Sequence, residues 1–445
     1  MDNNGVIQMA SNQFVMPSEG ETGAILDRVA GIAPSLKSTA MAPEAAAPPA
    51  GEKMAIRVVS RRLVKASDAS IQPHLPNAGD GDFDAVVATF EAVLPSLLNH
   101  FYPLAGRIVV DPATGLPELH CHNQGAELVV GEVDVALGSL NYALLRFACG
   151  SFSVVWGNYN LLHDGQVSTM IVRMWSELAR TGRISDGLPI NHDRSVFRPR
   201  SPPSYGAAID AMFTAYDDGG RLVNALTAHD SFVERLYYIE AGDIARLRDA
   251  ASAGAEQQRA SRVQAVSAYL WKALAGVVAA SCVPEERCCM GWWVDARRRV
   301  ASPALVPAMC GYCGNVTSYA LGDAAVGEVL ERPLAEVAAM VRESIASIDY
   351  DEYLQELVDW VVGHKTEKTV FASFPLDTDF GFGQAALAMP IWDHGKMGCG
   401  TLAVGVRPGG DGSWLVSAYI WPRMAAALES DGVFKPLTAA YLGLV

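Results

Sequence analysis

Apolar residues recur along this chain with two different periods. Three- and four-residue spacing predicts helices at 83–100, 166–180, 242–252, 260–281 and 333–362. Short runs rich in Val, Ile and aromatic residues predict strands at 54–65, 118–122, 127–133, 142–149, 152–162, 234–239, 288–294, 371–374, 401–407 and 414–421. Helices and strands are mixed in both halves of the chain, which indicates an α/β fold built from two sandwich domains.

Two stretches interrupt these patterns and suggest domain boundaries. Residues 1–53 are rich in Ala, Pro, Gly, Ser and Glu, which predicts a disordered N-terminal tail. Residues 184–220 have few periodic positions and several prolines, as expected of a crossover linker. We therefore expect an N-terminal domain at 54–183 and a C-terminal domain at 221–445. The 445-residue chain is long enough for two such domains of about 200 residues.

Charge and hydropathy limit the partners and the location. The net charge of −15 argues against nucleic acid or an anionic membrane surface as the main partner. The most apolar long run, 263–283, contains Gln264 and Lys272 and predicts a buried amphipathic helix instead of a membrane span. The first residues are not basic and no apolar signal segment follows them. We therefore predict a cytoplasmic protein.

The cysteine and histidine spacings do not indicate a metal site. The eight cysteines are scattered, a pattern typical of reduced, mostly buried thiols in a cytosolic protein. Cys310 and Cys313 have CxxC spacing, but no second pair with a matching spacing accompanies them. His120 and His122 alternate on a predicted strand and have no third ligand nearby, so we expect both to face the surface. The prediction is that no metal is bound.

Polar residues are concentrated where the strand predicted at 152–162 ends. Asn160, His163 and Asp164 close this apolar run, and Gly165 precedes a helix pattern. Gly165 allows a tight turn, and the end of a strand holds polar side chains rigidly. Residues 160–165 are therefore the candidate site.

Four segments of the chain resemble the plant BAHD acyl-CoA-dependent acyltransferases. Asp164-Gly165 at a helix start is similar to the family's HxxxDG motif. The other three, in the family's order and spacing, are Tyr102–Arg107 (YPLAGR), Asp295–Val316 (DxRxR, then YCGNV) and Asp379–Gly383 (DFGFG, where the family has DFGWG). Hydroxycinnamoyltransferase-like members are the most similar. The resemblance implies two chloramphenicol-acetyltransferase-like sandwich domains with a channel between them, in a monomer.

The resemblance also implies a reaction and a set of site residues. Family members move an acyl group from CoA to an amine or alcohol, so acyl-CoA is the expected co-substrate, a small amine or alcohol the expected acceptor, and no cofactor is bound. The motif Asp pairs with an Arg in the family, which implies a structural pair of Asp164 and Arg297. The residues implied to lie at the substrates are Gly165, Asp379, Gly381, Phe382 and Gly383.

One position departs from the family pattern. In the family a His four residues before the motif Asp accepts the acceptor's proton, and this chain has Asn160 there. An amide has no useful proton affinity near neutral pH, although it can hydrogen-bond a substrate or a developing oxyanion. Losing general-base catalysis costs roughly 10²–10⁴ in rate. We expect weakened acyl transfer, or alternatively an inactive protein that binds acyl-CoA or a phenolic ligand, or a repurposed lyase.

His163 is the substitute base that the sequence offers. It directly precedes Asp164, so on an extended strand its side chain is expected to face away from Asp164 and Asn160. This favours a turn-exposed or supporting histidine, with a relocated base as the alternative. The candidate catalytic residues are accordingly Asn160, His163 and Asp164.

Overall fold

The computed structural model describes twelve segments of the chain. They are residues 5–8, 56–67, 83–133, 145–147, 162–185, 190–212, 232–254, 259–281, 287–364, 400–407, 410–438 and 440–442. Within these segments helices and strands are mixed in both halves, as the apolar pattern predicts. The domain boundaries proposed from the sequence stay predictions.

In the described segments, the structure has most of the predicted helices and strands and several further ones, including a strand at 107–110 and a helix at 326–331. The strands are β1 (Gly5–Gln8), β2 (Ile56–Val64), β3 (Arg107–Val110), β4 (Pro117–His120), β5 (Ala126–Val133), β6 (Leu145–Phe147), β7 (Val233–Ile239), β8 (Arg287–Asp295), β9 (Thr317–Ala325), β10 (Thr401–Val406), β11 (Trp414–Ile420) and β12 (Lys435–Pro436). The α-helices are α1 (Phe83–His100), α2 (Gly165–Thr181), α3 (Ala207–Met212), α4 (Ala241–Ala250), α5 (Arg262–Ala279), α6 (Leu305–Ala308), α7 (Val326–Glu331), α8 (Leu334–Ala346), α9 (Tyr350–Gly363) and α10 (Pro422–Ser430). Short 3₁₀ helices cover Tyr102–Ala105, Arg194–Val196 and Ala296–Arg298.

The described strands form four sheets. β2 pairs antiparallel with β5, which pairs parallel with β6, and β3 and β4 form an antiparallel pair. In the C-terminal half, β10, β11, β7 and β12 form an antiparallel sheet. β8 and β9 are also antiparallel, with Asp295 opposite Thr317. This register brings the end of β8 beside the start of β9, where the two parts of the family-like segment Asp295–Val316, DxRxR and YCGNV, meet.

Each half has its own apolar core. The N-terminal core packs α1 against α2, with the Phe90 and Trp175 rings edge to face at 5.0 Å. The larger C-terminal core surrounds α5 and takes side chains from β7, β8, β9 and β11. The Trp271 indole nitrogen donates to the Cys288 carbonyl, and that of Trp292 donates to the Ser267 hydroxyl at 2.9 Å. Both buried indoles therefore keep a hydrogen-bond partner, as buried tryptophans usually do.

Residues 263–279 of the apolar run at 263–283 lie in α5 within this core, and this part of the run forms a buried helix as predicted. Lys272, one of the polar residues in this run, donates hydrogen bonds from its Nζ to the carbonyls of Val329, Leu330 and Arg332, where helix α7 ends. The ammonium thus binds carbonyls that the helix leaves unpaired. Among the helices that the structure describes, none has both the length and the apolar composition that a membrane span needs.

The prediction of one helix at 333–362 is wrong. The structure has α8 and α9, separated at 347–349. The Asp349 carboxylate accepts hydrogen bonds from the amides of Asp351 and Glu352 at 3.1 and 3.2 Å. An aspartate in this position caps a new helix more favourably than it continues an old one, so the apolar periodicity runs across a real break.

The structure also has a strand in the segment predicted to be a disordered tail. Gly5–Gln8 pairs parallel with Cys288–Gly291 of β8, which provides hydrogen-bond partners along that sheet edge. The other residues of 1–53 lie outside the described part of the chain. So do the strand predicted at 371–374 and nearly all of the strand predicted at 152–162.

Candidate active site

Asp164 fixes the start of helix α2. Its backbone is extended (φ −86°, ψ −178°), and its Oδ1 accepts the Val167 amide hydrogen bond at 3.2 Å. Gly165 is the first helical residue, and Val167 and Ile171 bury the inner face of α2 in the N-terminal core. A capping side chain and a buried helix face therefore hold the candidate site in place.

The Asp164 carboxylate also binds Arg297 from the C-terminal half. Arg297 Nη1 lies 2.8 Å from Oδ2 and Nη2 lies 3.1 Å from Oδ1, and the Val316 amide donates to Oδ2 at 2.9 Å. The Asp164 and Arg297 side chains are only 2% and 8% exposed. The pair implied by the family resemblance is present. Because each carboxylate oxygen accepts two hydrogen bonds, Asp164 is committed to holding the two halves together.

The segment that leads into β9 provides hydrogen-bond acceptors for the Arg297 guanidinium. Its Nε donates to the Tyr312 carbonyl at 3.2 Å, and its Nη2 donates to the Gly314 carbonyl at 2.6 Å. Its Nη1 also binds Asp295 Oδ1 at 2.9 Å. Burial disfavours the charged guanidinium, but Asp164 and Asp295 outweigh burial and raise the pKa of Arg297. The planar, five-donor geometry of arginine suits this arrangement, and lysine does not offer it.

His163 is buried, so the expectation of a turn-exposed side chain is wrong. Only 2% of the residue is exposed. Its Nδ1 lies 3.0 Å from the Asp164 carbonyl oxygen. Since a carbonyl only accepts, Nδ1 carries the hydrogen of the neutral ring and Nε2 carries the lone pair. Nε2 is buried and has no hydrogen-bond partner among the described residues.

The surroundings of His163 favour its neutral form. Burial lowers the pKa of His163, and the positive charges of Arg194 and Arg297 act in the same direction. The hydrogen bond to the Asp164 carbonyl and the Asp164 charge oppose these effects without reversing them. A neutral imidazole with a free Nε2 lone pair is the form that accepts a proton in general-base catalysis.

The cysteines and histidines with spacings similar to those of metal ligands are less suited to catalysis. Burial raises the pKa of the Cys313 thiol to about 11, so the thiolate needed for nucleophilic attack is scarce. Cys310 is exposed. His122 is exposed as expected, whereas His120 is half-buried and bonds Glu118 at 3.1 Å. Within the described ranges, no three His, Cys, Asp or Glu side chains are grouped as metal ligands.

The structure brings together four of the residues predicted from the sequence. His163, Asp164, Gly165 and Arg297 meet at the junction of β8, β9 and α2. Asn160 lies outside the described residues, as do Asp379, Gly381, Phe382 and Gly383. Arg194, which was not predicted from the sequence, also reaches this junction, where its Nη2 donates to the Leu162 carbonyl at 2.8 Å. The only signal for it was an arginine directly after a possible capping aspartate in the proline-rich linker.

The fold is that of the two-domain chloramphenicol-acetyltransferase-like proteins. Vinorine synthase superposes with a TM-score of 0.55 at 17% identity, covering 88% of this chain and 98% of its own. F. sporotrichioides TRI101, solved with coenzyme A and T-2, gives a TM-score of 0.58 at 15% identity over 86% of this chain and 96% of its own. This confirms the predicted fold class of two sandwich domains.

The family follows from the sequence match. The model of the Transferase family matches residues 81–144 and 142–386, well over half of the chain. The chain therefore belongs to this family, the BAHD acyltransferases, and is a transferase as predicted.

Named relatives act on hydroxycinnamoyl groups and on amine or hydroxyl acceptors. Putrescine hydroxycinnamoyltransferase 3 of Oryza sativa subsp. japonica is 26% identical over 68% of this chain and 78% of its own length. Agmatine coumaroyltransferase-1 of Hordeum vulgare is 28% identical over 63% of this chain and 68% of its own. Omega-hydroxypalmitate O-feruloyl transferase of Arabidopsis thaliana is 23% identical over 69% and 74%, respectively.

Proposed function

We propose that this protein transfers a hydroxycinnamoyl group from CoA to an amine or alcohol, with His163 as the proton acceptor. The observation that carries the proposal is the buried His163 ring, whose Nδ1 bond to the Asp164 carbonyl leaves a free lone pair on Nε2. Membership of the family supports acyl transfer. The coenzyme A complex of a protein with the same fold supports acyl-CoA as the donor.

The reaction requires one proton transfer in each direction. The acceptor nitrogen or oxygen attacks the thioester carbonyl carbon, and its proton passes to Nε2 of His163. The tetrahedral intermediate then collapses, the carbon–sulfur bond breaks, and the imidazolium returns the proton to the CoA sulfur. The products are an amide or ester and free CoA, and no oxidant or cofactor is consumed.

Asp164 and Asn160 have different roles in this proposal. Asp164 is a positioning residue, since both of its oxygens are used by Arg297 and by backbone amides. We assign Asn160 the task of hydrogen-bonding the acceptor or the developing oxyanion, because an amide donates and accepts hydrogen bonds but does not take a proton. The residues of the DFGFG segment remain proposed substrate contacts.

Relatives named for putrescine and agmatine make an amine acceptor the first choice. An amine with some free base present also depends less on a protein base than an alcohol does. We therefore expect transfer to agmatine or putrescine to exceed transfer to a hydroxy fatty acid. The cytoplasmic location and the monomeric state stay predictions.

Steady-state transfer assays test this assignment. Coumaroyl-, caffeoyl- and feruloyl-CoA are offered with agmatine, putrescine or ω-hydroxypalmitate to the native chain and to His163→Gln, Asn160→Ala and Asn160→His. Loss of a general base predicts a kcat lower by roughly 10²–10⁴ in His163→Gln. Native turnover that is unchanged in His163→Gln would refute the assignment of the base.

Asn160 favours a second candidate, an inactive protein that retains the ligand site. On that alternative, only Asn160→His turns substrate over, while the native chain binds feruloyl-CoA without reaction. Calorimetric titration of feruloyl-CoA into the native chain, followed by chromatography of the mixture with agmatine, separates binding from transfer. A native chain that binds but does not react would replace the transferase proposal with this one.

A further inference from the structure

Arg194 lies in the linker between the predicted domains and reaches the candidate site. It begins the 3₁₀ helix Arg194–Val196, which Asp193 caps by accepting the Ser195 amide at 2.8 Å. Although the residue is exposed, its Nη2 donates to the Leu162 carbonyl at 2.8 Å. Leu162 directly precedes His163, so this bond holds the main chain on the N-terminal side of the imidazole.

The other side of the Arg194 guanidinium faces the segment 312–316. Its Cζ lies 5.7 Å from the centre of the Tyr312 ring, within the range of a cation–π contact. Burial raises the pKa of Tyr312, and the charge of Arg194 and its hydrogen bond to this side chain oppose that shift. The same segment supplies the Tyr312 and Gly314 carbonyls that bind Arg297. One short segment therefore supports both arginines.

Gly314 leaves the room that this arrangement needs. A Cβ at residue 314 would lie 2.3 Å from Arg194 Nη1 and 2.3 Å from a carbon of the Tyr312 ring. Contacts below 3.0 Å are essentially never made by real Cβ atoms. Any side chain at 314 would displace Arg194 or Tyr312, so the glycine at this position is explained by the arginine that packs against it.

We propose that Arg194 is a positioning residue for His163, which it holds through the Leu162 carbonyl while Arg297 holds Asp164 on the other side. The inference rests on the proposed role of His163 in acyl transfer. In the described part of the chain, the charges that act on the imidazole are those of Asp164, Arg194 and Arg297. Arg194 thus contributes both a fixed main-chain position and a positive charge that opposes protonation of the ring.

Arg198 offers a matched control from the same linker. Its Nε donates to the Ser195 carbonyl at 3.1 Å, a contact within four residues of its own position. Replacing Arg198 removes the same net charge as replacing Arg194. Arg194→Gln keeps a donor for the Leu162 carbonyl and removes the charge, so it separates position from electrostatics.

The experiment uses the full chain with isotope-labelled histidine and follows the imidazole signals by NMR as pH changes. His163→Gln identifies the signal of His163 among the nine histidines. We expect the pKa of His163 to rise toward its ordinary value in Arg194→Ala and Arg194→Gln, and to stay unchanged in Arg198→Ala. Equal responses to Arg194→Ala and Arg198→Ala would overturn the inference, and this readout does not depend on turnover.

Transfer kinetics then test positioning. In Arg194→Ala we expect kcat to fall roughly 10- to 100-fold, the cost typical of a displaced catalytic group, with little change in the KM of the CoA thioester. Arg194→Gln should recover much of this loss. A native chain without turnover would refute the proposed function alone, whereas normal kcat in Arg194→Ala, with His163 essential, would refute positioning alone.

Discussion

Two buried aspartates anchor separate parts of this molecule in nearly the same way. Asp164 pairs with Arg297 and accepts the Val167 and Val316 amides. Asp359 on α9 has no exposed surface, pairs with Arg200 of the linker, and accepts the backbone amides of Arg200 and Ser204 at 2.7 and 3.2 Å. In each anchor a carboxylate binds an arginine that is more than a hundred residues away in the chain.

The anchors differ in what lies beside them. Next to Asp164 is the His163 imidazole, with a buried Nε2 that has no partner among the described residues. The described residues of 198–206 and 350–364 contain no buried side-chain nitrogen or oxygen of this kind. The two places therefore share the same anchoring chemistry, and among the described residues only the Asp164 anchor has such a basic nitrogen beside it. A buried ion pair alone does not mark a site of catalysis.

The largest effect is expected from breaking the Asp164 anchor. Arg297→Ala leaves the Asp164 charge buried without its partner, and such a loss costs about 3–5 kcal/mol of unfolding free energy. Urea unfolding measured by circular dichroism gives the value. Replacing Asp164 and Arg297 together with alanine should cost less than the sum of the single changes. A cost below that of an exposed ion pair would mean that the anchor is not formed.

Asp359→Ala breaks the second anchor and is expected to lower stability by less. Arg200 is 36% exposed on its side chain, so water can solvate the guanidinium that is left behind. Burial tends to raise the pKa of Asp359, but the hydrogen bonds from Arg200 and Ser204 outweigh it and lower that pKa. The change should leave the NMR titration of His163 unaltered. A shifted His163 titration in this variant would contradict the separation of the two anchors.

Acid should lower the free energy of unfolding through His163, which lies beside the Asp164 anchor. The folded state keeps this imidazole neutral below 6.5, the ordinary histidine pKa, while the unfolded chain takes up a proton there. Stability contributed by His163 is therefore lost as pH falls from above 6.5 to the lowered folded value, with a slope of at most about 1.4 kcal/mol per pH unit. Urea unfolding between pH 5 and 8 should show a shallower pH dependence in His163→Leu. Identical slopes would contradict the buried neutral ring.

The smallest effect is expected from Asp349→Ala, which separates the contribution of helix capping from that of ion pairing. Asp349 caps α9 from an exposed position, as Asp164 caps α2 from a buried one. Asp349→Ala should cost about 1 kcal/mol, the usual value for losing a capping side chain. The excess cost of Asp164→Ala over Asp349→Ala in the same urea titrations measures what the arginine adds. Equal losses of unfolding free energy in the two variants would mean that Asp164 stabilises the protein through helix capping alone.

Most elements were predictable from the sequence, and the contacts between them were not. Three- and four-residue apolar spacing located α1 and α5 because their buried faces set that period. The same spacing continues past Asp349 and wrongly predicted one helix there, since a capping residue ends the helix without interrupting the apolar pattern. The Asp164–Arg297 pair came from family resemblance, because no local pattern relates residues so far apart. Arg194 was missed for the same reason.

The segment 312–316 makes the chemistry of one half depend on the other. It donates the Val316 amide to Asp164, presents two carbonyls to Arg297 and carries the Tyr312 ring beside Arg194. An isolated N-terminal fragment would contain His163 and Asp164 without the Arg297 guanidinium and the Val316 amide. Because the charge of Arg297 acts on the His163 imidazole, an NMR titration of His163 reports whether the two halves are in contact. This measurement needs no substrate.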